Sequence, residues 1–401
     1  MQATDETKQR RSWLTPGVLG IGLASLLADA GHEIPTALLP SFLTSTLGAP
    51  AAALGLIEGL ADGAAGGARL LGGALADNPA LRRRTATGGY VGTAVLGGLI
   101  GLTAVVWQAG ALRIASWVAR GIRVPSRNAL LADITEPATY GRAYGFERAM
   151  DNIGAIVGPL LALGLVILVG ARNAMLLSVI PGLLAAVAIL YAIRQIPRPK
   201  IRERQPLRLR VRPVMKGRLG KLLIGMGAFE LGHAAATLMI LRATTLLVPS
   251  AGRDGAVRLA LILYIGSNAV AAAVSIPAGR AGDRVGAQVV LLLGVVGFLL
   301  AYLAFAVGGG LPVMALGFAV GGLAIGLVET AQNSAVASLA PAEIRGSAFG
   351  LLAGIQGFGN LAASALAGII WTAVSPSVAF GYLAVWMLVA VAAISAAMRS
   401  R

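Results

Sequence analysis

Apolar stretches of about 20 residues or more recur along the whole of this 401-residue chain. Each is long enough to cross the hydrocarbon core of a bilayer, which is about 30 Å thick. Charged residues make up only 12% of the chain, about half the fraction found in soluble domains. This pattern excludes a soluble enzyme, a disordered chain and a secreted disulfide scaffold. The apolar runs are continuous, whereas strands of an outer-membrane barrel alternate.

The apolar stretches predict an all-α membrane protein with twelve transmembrane helices in two bundles of six. The predicted spans cover residues 15–43, 51–76, 85–108, 112–133, 143–169, 173–193, 221–247, 257–279, 287–308, 312–338, 345–373 and 377–398. We expect residues 1–193 to form the first bundle, residues 194–220 a basic linker, and residues 221–401 the second bundle.

Basic residues are concentrated in alternate gaps between the spans. The net charge is +16, and eleven of the 33 basic residues lie between Arg194 and Lys221. Lysine and arginine mark the cytoplasmic loops of membrane proteins. We therefore expect a multi-pass protein of the inner (plasma) membrane with both termini in the cytoplasm. We expect it to interact with the lipid bilayer and not with a nucleic acid.

The two halves of the chain repeat each other. Matching residues occur at a nearly constant offset of 205 or 206 positions. The matching landmarks are Asn128 and Asn333, the segments 141–145 and 346–350, and Asp77 and Asp283. Six helices were therefore duplicated in parallel, an architecture found in transporters whose halves rock against each other.

Each half carries one copy of a short motif after its second predicted span. The copies are Gly73-Ala-Leu-Ala-Asp77, followed by Arg82, and Gly279-Arg-Ala-Gly-Asp283-Arg284-Val-Gly286. They resemble the G-x-L-a-D-r-x-G-r signature of the major facilitator superfamily. The first copy departs from the signature, because Asn78 replaces the basic residue and Ala80 the glycine.

The resemblance implies a twelve-helix secondary transporter whose halves open and close around a central cavity. It implies a gating role for four signature residues, Asp77, Arg82, Asp283 and Arg284. The G-x-x-x-G-P element at Gly154–Pro159 is similar to one associated with exporting antiporters in this family. Small residues four positions apart also serve ordinary helix packing, so both interpretations stay open.

Ionisable residues inside the predicted spans mark candidate sites, because a charge at the bilayer centre is costly. The candidates for substrate or ion binding are Asp29, His32, Glu33, Glu58, Asp62, Glu230, His233, Glu329 and Asn333. A second set predicts structural charge pairs between neighbouring spans: Arg120 or Arg123 with Glu147 or Asp151.

The same acid-x-Gly-His unit occurs in spans one and seven. Asp29 precedes His32 and Glu230 precedes His233 by one helical turn, and the chain has only these two histidines. An acid beside an imidazole can exchange protons near neutral pH. The pairs can also bind a divalent metal through His32 and His233, or serve only helix packing.

These features predict secondary active transport of a small solute, coupled to protons and directed outwards. The alternatives are transport of a divalent metal or organic cation, and a membrane-embedded enzyme. The chain contains no Walker A pattern, so we do not expect direct ATP hydrolysis. We expect a monomer that is not an enzyme and that needs no cofactor or resident metal.

The charge pattern predicts a topology that reporter tags can measure. Tags at both termini and within residues 198–218 should be cytoplasmic, and tags near Ala49 and Ala251 should be periplasmic. Termini found on opposite faces of the membrane would contradict the twelve-span arrangement.

Overall fold

The computed structural model of the protein describes residues 13–195 and 208–399, and these residues are helical almost throughout. The helices are α1 Pro16–Ser41, α2 Ala51–Ala76, α3 Pro79–Leu99, α4 Val106–Ile134, α5 Tyr140–Leu177, α6 Val179–Arg194, α7 Val211–Val214, α8 Gly217–Gly232, α9 Ala236–Val285, α10 Ala287–Val307, α11 Leu311–Leu339, α12 Arg345–Ala373 and α13 Pro376–Arg399. Residues 1–12, with the N-terminal basic cluster, and residues 196–207 of the predicted linker lie outside the described part.

Two of the long helices contain a sharp turn at a glycine. Gly170 in α5 has φ of +79° and Gly252 in α9 has φ of +68°. Glycine is favoured there because other residues rarely adopt positive φ. Each turn separates two helices, close to the loops that the sequence predicts between spans five and six and between spans seven and eight.

Helices α1–α6 pack into one bundle and α8–α13 into another, as the fold class predicts. The bundles meet mainly along two helix pairs, α2 with α12 and α5 with α9. Seven helical stretches within the described residues are long and apolar enough to cross a membrane. Two of these stretches, Pro137–Arg194 and Gly217–Val285, each contain more than one predicted span. The all-α fold class is confirmed, and the count of twelve spans stays a prediction.

The two bundles touch closely at the end that carries Asp77 and Asp283, which we call the signature end. Gly59, Gly66 and Gly73 lie on one face of α2, seven residues apart. A β-carbon at Gly73 would lie 2.6 Å from the Cα of Gly350 in α12, and one at Gly66 would lie 3.4 Å from the ring of Phe358. At Gly59 no heavy atom of the described residues would lie within 4 Å. The bundles therefore diverge along α2, away from the signature end.

The predicted seventh span is not one continuous helix. Helix α8 ends at Gly232 and α9 begins at Ala236. The amide of Asn360 donates to the carbonyl of His233 at 2.8 Å, and the amide of Ala235 donates to Ser364 Oγ at 2.8 Å. Backbone polar groups inside a membrane need hydrogen-bond partners. These two side chains of α12 supply partners that the interrupted helix does not.

The end of the predicted linker is packed against the protein rather than extended as a solvated tether. The side chain of Val214 is fully buried. The backbone amide of Arg210 donates to Ser347 Oγ at 2.9 Å. This part of the linker therefore contacts the first turn of α12 at the signature end.

Replacing Gly73 with valine should push α2 and α12 apart, because the new side chain meets the backbone of Gly350. Such overpacking typically costs about 1–3 kcal/mol, so the apparent melting temperature of Gly73→Val in detergent should fall by several degrees. Gly59→Val is the matched control, since the same helix face is open there. Equal melting temperatures for the two variants would contradict the close approach at the signature end.

Candidate functional site

A cavity of about 500 Å³ lies between the two bundles. It is lined by α2, α4 and α5 of the first half and by α8, α10, α11 and α12 of the second. Eight of the residues singled out in the sequence line it: Asp62, Arg120, Arg123, Asp151, Glu230, His233, Glu329 and Asn333. Five others lie outside its lining: Asp29, His32, Glu33, Glu58 and Glu147.

Asp29 and His32 lie in the core of the first bundle, behind the cavity wall. Arg120 places Nη1 2.7 Å from His32 Nε2 and Nη2 3.3 Å from Asp29 Oδ1. Arg123 Nη2 lies 3.9 Å from the same Asp29 oxygen. His32 also lies 3.4 Å from Asp29 and 3.3 Å from Glu33. The acid–histidine pair predicted on α1 is present, but two arginines of α4 stand between it and the cavity.

A second charge network joins α4 and α5. Glu147, which is 1% exposed, accepts from Ser25 Oγ at 2.6 Å. It lies 2.7 Å from both Arg127 and Arg148. Asp151 lies 3.0 Å from Arg148 and 3.6 Å from Arg127. All the charges in this network therefore have a partner of opposite sign.

The predicted pairing of Arg120 and Arg123 with Glu147 and Asp151 is wrong in its partners. Arg120 and Arg123 face Asp29 on α1, whereas Arg127 and Arg148 bind the two acids of α5. Helical spacing places the arginines of α4 on one side of that helix. It does not say which neighbouring helix lies opposite each turn.

The two acids of α2 have partners that the sequence analysis missed. Glu58 lies 3.0 Å from Arg113, which also donates to Thr36 Oγ1 at 3.1 Å. The guanidinium of Arg113 lies 3.5 Å from the ring centre of Trp117. Trp117 Nε1 in turn donates to Asp62 at 2.8 Å. Glu58 and Asp62, one turn apart on α2, thus contact Arg113 and Trp117 of α4, which also contact each other.

In the second half, Glu230 and His233 form the pair that the repeat predicts. His233 Nδ1 lies 3.3 Å from Glu230 Oε2. The imidazole stacks on Phe229 at 5.0 Å between ring centres and meets the edge of Phe298 at 4.9 Å. Glu230, His233 and both phenylalanines line the cavity. This acid–histidine pair, unlike that of α1, therefore faces the cavity.

Helix α11 contributes three polar side chains to the same wall. Asn333 Oδ1 accepts from Asn128 Nδ2 of the first half at 3.1 Å. Gln332 is 2% exposed, and its Oε1 has no hydrogen-bond partner among the described residues. Glu329 forms no ion pair with any residue in the described ranges. The carboxylate of Glu329 is thus available to a ligand on this wall.

Arg69 of α2 is the one cavity arginine that reaches the second bundle directly. Its Nη1 donates to the carbonyl of Ala353 at 3.3 Å. A β-carbon at Gly357 would lie 2.8 Å from this nitrogen, so the glycine leaves room for the guanidinium. Within the described part of the chain, Arg69 forms no ion pair. Its remaining donors are available to an anionic group in the cavity.

Asp283 binds the first half at the signature end. It accepts from the backbone amides of Gly141 at 2.7 Å and Arg142 at 3.2 Å, and from Arg142 Nε at 2.7 Å. The acceptor therefore sits at the N-terminus of α5, where orphan amides and the helix dipole favour an anion. Arg142, and not the exposed Arg284, is the basic partner of this motif.

Asp77 binds the second half in the equivalent way. It accepts from the backbone amide of Ser347 at 2.8 Å and from the hydroxyl of the same residue. Burial raises the pKa of the Asp77 carboxyl, and the hydrogen bonds from Ser347 oppose that rise. Asn78, which departs from the signature, caps α3 through its side-chain oxygen, 3.0 Å from the amide of Ala80. The two aspartates thus bind equivalent helix starts in opposite halves.

Arg82 takes part in a third contact at the signature end. It pairs with Asp133 and donates to the carbonyl of Ala76 at 2.6 Å. Asp133 also lies 3.4 Å from Arg345 of the second half. Asp133 and Arg345 were not singled out in the sequence, because neither belongs to the signature.

The two histidines of the metal alternative are not brought to one site. His233 lines the central cavity, whereas His32 lines a separate small recess within the first bundle. The described residues contain no group of three or more histidine, cysteine or acidic residues placed to hold a metal ion. The alternative metal site at His32 and His233 is therefore not formed in this structure.

The profile of the Major Facilitator Superfamily matches residues 21–268 and 255–400. The chain belongs to the major facilitator superfamily. Membership agrees with the signature motifs, the duplicated bundles and the all-α fold, and it confirms a multi-pass membrane transporter family.

Two curated relatives match most of the chain of this superfamily member. An uncharacterized protein of Mycobacterium tuberculosis is 29% identical over 87% of this chain and 85% of its own. An uncharacterized MFS-type transporter of Methanocaldococcus jannaschii is 28% identical over 92% of both chains. Their descriptions name no solute.

Solved structures of transporters share the fold at low identity. The human organic anion transporter MFSD10 (TETRAN) is 16% identical, with a TM-score of 0.72, covering 94% of this chain and 99% of its own. A bacterial homologue of the iron transporter ferroportin in an outward-facing state is 14% identical, with a TM-score of 0.71, covering 95% and 98%. At these identities the similarity establishes the fold alone.

The contacts at the signature end make different predictions for the two aspartates. Asp283→Asn should reduce turnover more than Asp77→Asn, because Asp283 accepts three hydrogen bonds and pairs with a charged guanidinium. Arg142→Gln should reproduce part of the loss. Initial rates in proteoliposomes, normalised to the amount of folded protein, measure the effect, and wild-type rates in both aspartate variants would contradict a gating role.

Proposed function

We propose that the protein is a secondary active transporter that exchanges protons for a small solute and exports that solute. The single observation that carries the proposal is the carboxylate of Glu329, which lines the cavity without an ion-pair partner among the described residues. The position is residue 19 of the 29 in α11, so it lies in the interior of the helix. A charge at such a depth is costly.

An unpaired carboxylate in this place favours one of two occupants. It can bind a proton, or it can pair with a cationic group of the solute. Binding of one excludes the other, and this competition is the basis of exchange. Glu147 and Asp151 are less suited to this role, because Arg127 and Arg148 already neutralise them.

Glu230 with His233 is the second proton site in this proposal. The pair faces the cavity beside the break between α8 and α9, and transporters of this architecture place their sites at interrupted helices. The sequence assigned the same role to Asp29 and His32. We now propose that this pair instead positions Arg120 and Arg123 at the cavity wall, because both arginines contact Asp29.

Alternating access is the other part of the proposed mechanism. The bundles are held together at the signature end by Asp77, Asp283 and Asp133, and they diverge towards Gly59. The charge pattern of the sequence makes the signature end cytoplasmic. We therefore propose an inner-membrane monomer with cytoplasmic termini that opens outwards in this state, and whose aspartate contacts break when it opens inwards.

Export is the direction suggested by the G-x-x-x-G-P element. Gly154 and Gly158 pack α5 against α1, and a β-carbon at Gly154 would lie 3.0 Å from Asp29 Cβ. The element therefore has a packing role whatever the direction. The outward direction rests on the resemblance to exporting antiporters.

Replacing Glu329 with glutamine should abolish proton exchange, because glutamine cannot release a proton. Energised inside-out vesicles that quench acridine orange provide the measurement. Addition of benzyltrimethylammonium, choline or 4-(aminomethyl)benzoate, none of which carries protons across the bilayer by itself, should restore fluorescence with the wild type for at least one of the three, and with none for Glu329→Gln.

Glu136→Gln is the matched control, since Glu136 is exposed outside the cavity. It should behave like the wild type. If Glu329→Gln also exchanged protons like the wild type, the proposed role of Glu329 would be wrong.

A further inference from the structure

The two walls of the cavity carry opposite charge, although the halves are copies of each other. Arg120, Arg123, Arg127 and Arg148 line it from the first half. At the repeat offset of 205, the equivalent residues of the second half are Ile325, Val328, Gln332 and Ala353, and all four line the cavity too. The duplicated positions therefore carry a cation in one copy and a neutral side chain in the other.

The first wall keeps a surplus of positive charge after its internal pairs are formed. Four of its arginines are engaged by Asp29, Glu147 and Asp151. Arg69 is the fifth, and within the described residues it has only a backbone carbonyl as a partner. Asp62, the remaining acid of this wall, accepts from Trp117. A guanidinium with free donors recognises carboxylates and phosphates well.

The second wall has the opposite character. Apart from His233, the only charged residues that line it are Glu230 and Glu329. The carboxylate of Glu329 has no ion-pair partner among the described residues. An ammonium group in the cavity can therefore donate to it.

Resting on the proposed function, we infer that the solute is a zwitterion with its charges at separate ends. Its anionic group binds Arg69 of α2, and its cationic group binds Glu329 of α11. The solute thereby contacts both bundles at once. Its cationic end occupies the carboxylate that otherwise holds the proton, which links its binding to proton release.

The room between the charged groups suits a small apolar body. The cavity of about 500 Å³ is also lined by Phe229, Phe298, Val328 and Leu361. Pockets of this size accept small organic molecules and are mostly lined by apolar and aromatic side chains. A ring or short chain between the two charged groups would contact these residues.

Three probes that share one aromatic body test the inference. They are the zwitterion 4-(aminomethyl)benzoate, the cation benzylamine and the anion 4-methylbenzoate, with ω-amino acids from glycine to 8-aminooctanoate to vary the charge separation. Binding is measured by thermal stabilisation of the purified full-length protein near neutral pH. At least one zwitterion should bind about tenfold more tightly than its singly charged relatives, since hydrogen bonds between charged groups are the strong ones.

Each wall is then tested by a conservative variant. Arg69→Gln should reduce the affinity for the zwitterion to that for benzylamine and leave benzylamine binding unchanged. Arg69→Lys should restore part of the preference, which separates lost charge from lost folding. Glu329→Gln should reduce the affinity for the zwitterion to that of 4-methylbenzoate. Arg280→Gln is the control, because it removes an exposed arginine outside the cavity.

The outcomes separate this inference from the proposed function. If no zwitterion binds more tightly than its singly charged relatives, or if none of the probes binds, the zwitterion inference is overturned. A pH dye in weakly buffered solution records proton release during binding. A zwitterion that binds without releasing protons would support the inference and contradict proton exchange. If benzylamine binding releases protons and no zwitterion is preferred, the result would support proton exchange and overturn the zwitterion inference.

Discussion

The cost of guanidinium groups inside a membrane protein governs how the first bundle is built. Arg120, Arg123, Arg127 and Arg148 lie beside the cavity, and a charge at membrane depth requires a partner. Asp29 of α1 and Glu147 of α5 supply two of these partners. Helices α1, α4 and α5 are consequently tied into one unit by ion pairs as well as by apolar packing.

The second bundle is held together in another way. Its core is rich in aromatic rings: Phe298 contacts Tyr302, and Phe380 contacts both Tyr302 and Phe305. Within the described residues, no arginine forms an ion pair with its cavity acids, Glu230 and Glu329. In the first bundle, arginines pair with Asp29, Glu147 and Asp151. Duplication thus gave two bundles with one backbone plan, whose equivalent cavity positions now carry different side chains.

The sequence predicted the fold, the repeat and the aspartates of both motifs, because these depend on hydropathy and on spacing within one half. The partners Ser347 and Arg142 could not be derived in this way, since each lies in the opposite half from its aspartate. The break between α8 and α9 also escaped prediction. It covers His233, Ala234 and Ala235, and alanine is the strongest helix former. Side chains from α12, distant in sequence, stabilise the break.

The two aspartate contacts at the signature end differ in chemistry, because the repeat places a serine where its other copy has an arginine. Asp283 is held partly by an ion pair whose arginine side chain is 32% exposed. Mobile ions partly screen the attraction between such exposed charges, and the Debye length is about 8 Å at physiological ionic strength. Asp77 is held by a neutral hydroxyl and an amide, which salt affects far less. Salt at the signature end therefore weakens the contact between α5 and α9 more than the contact between α2 and α12.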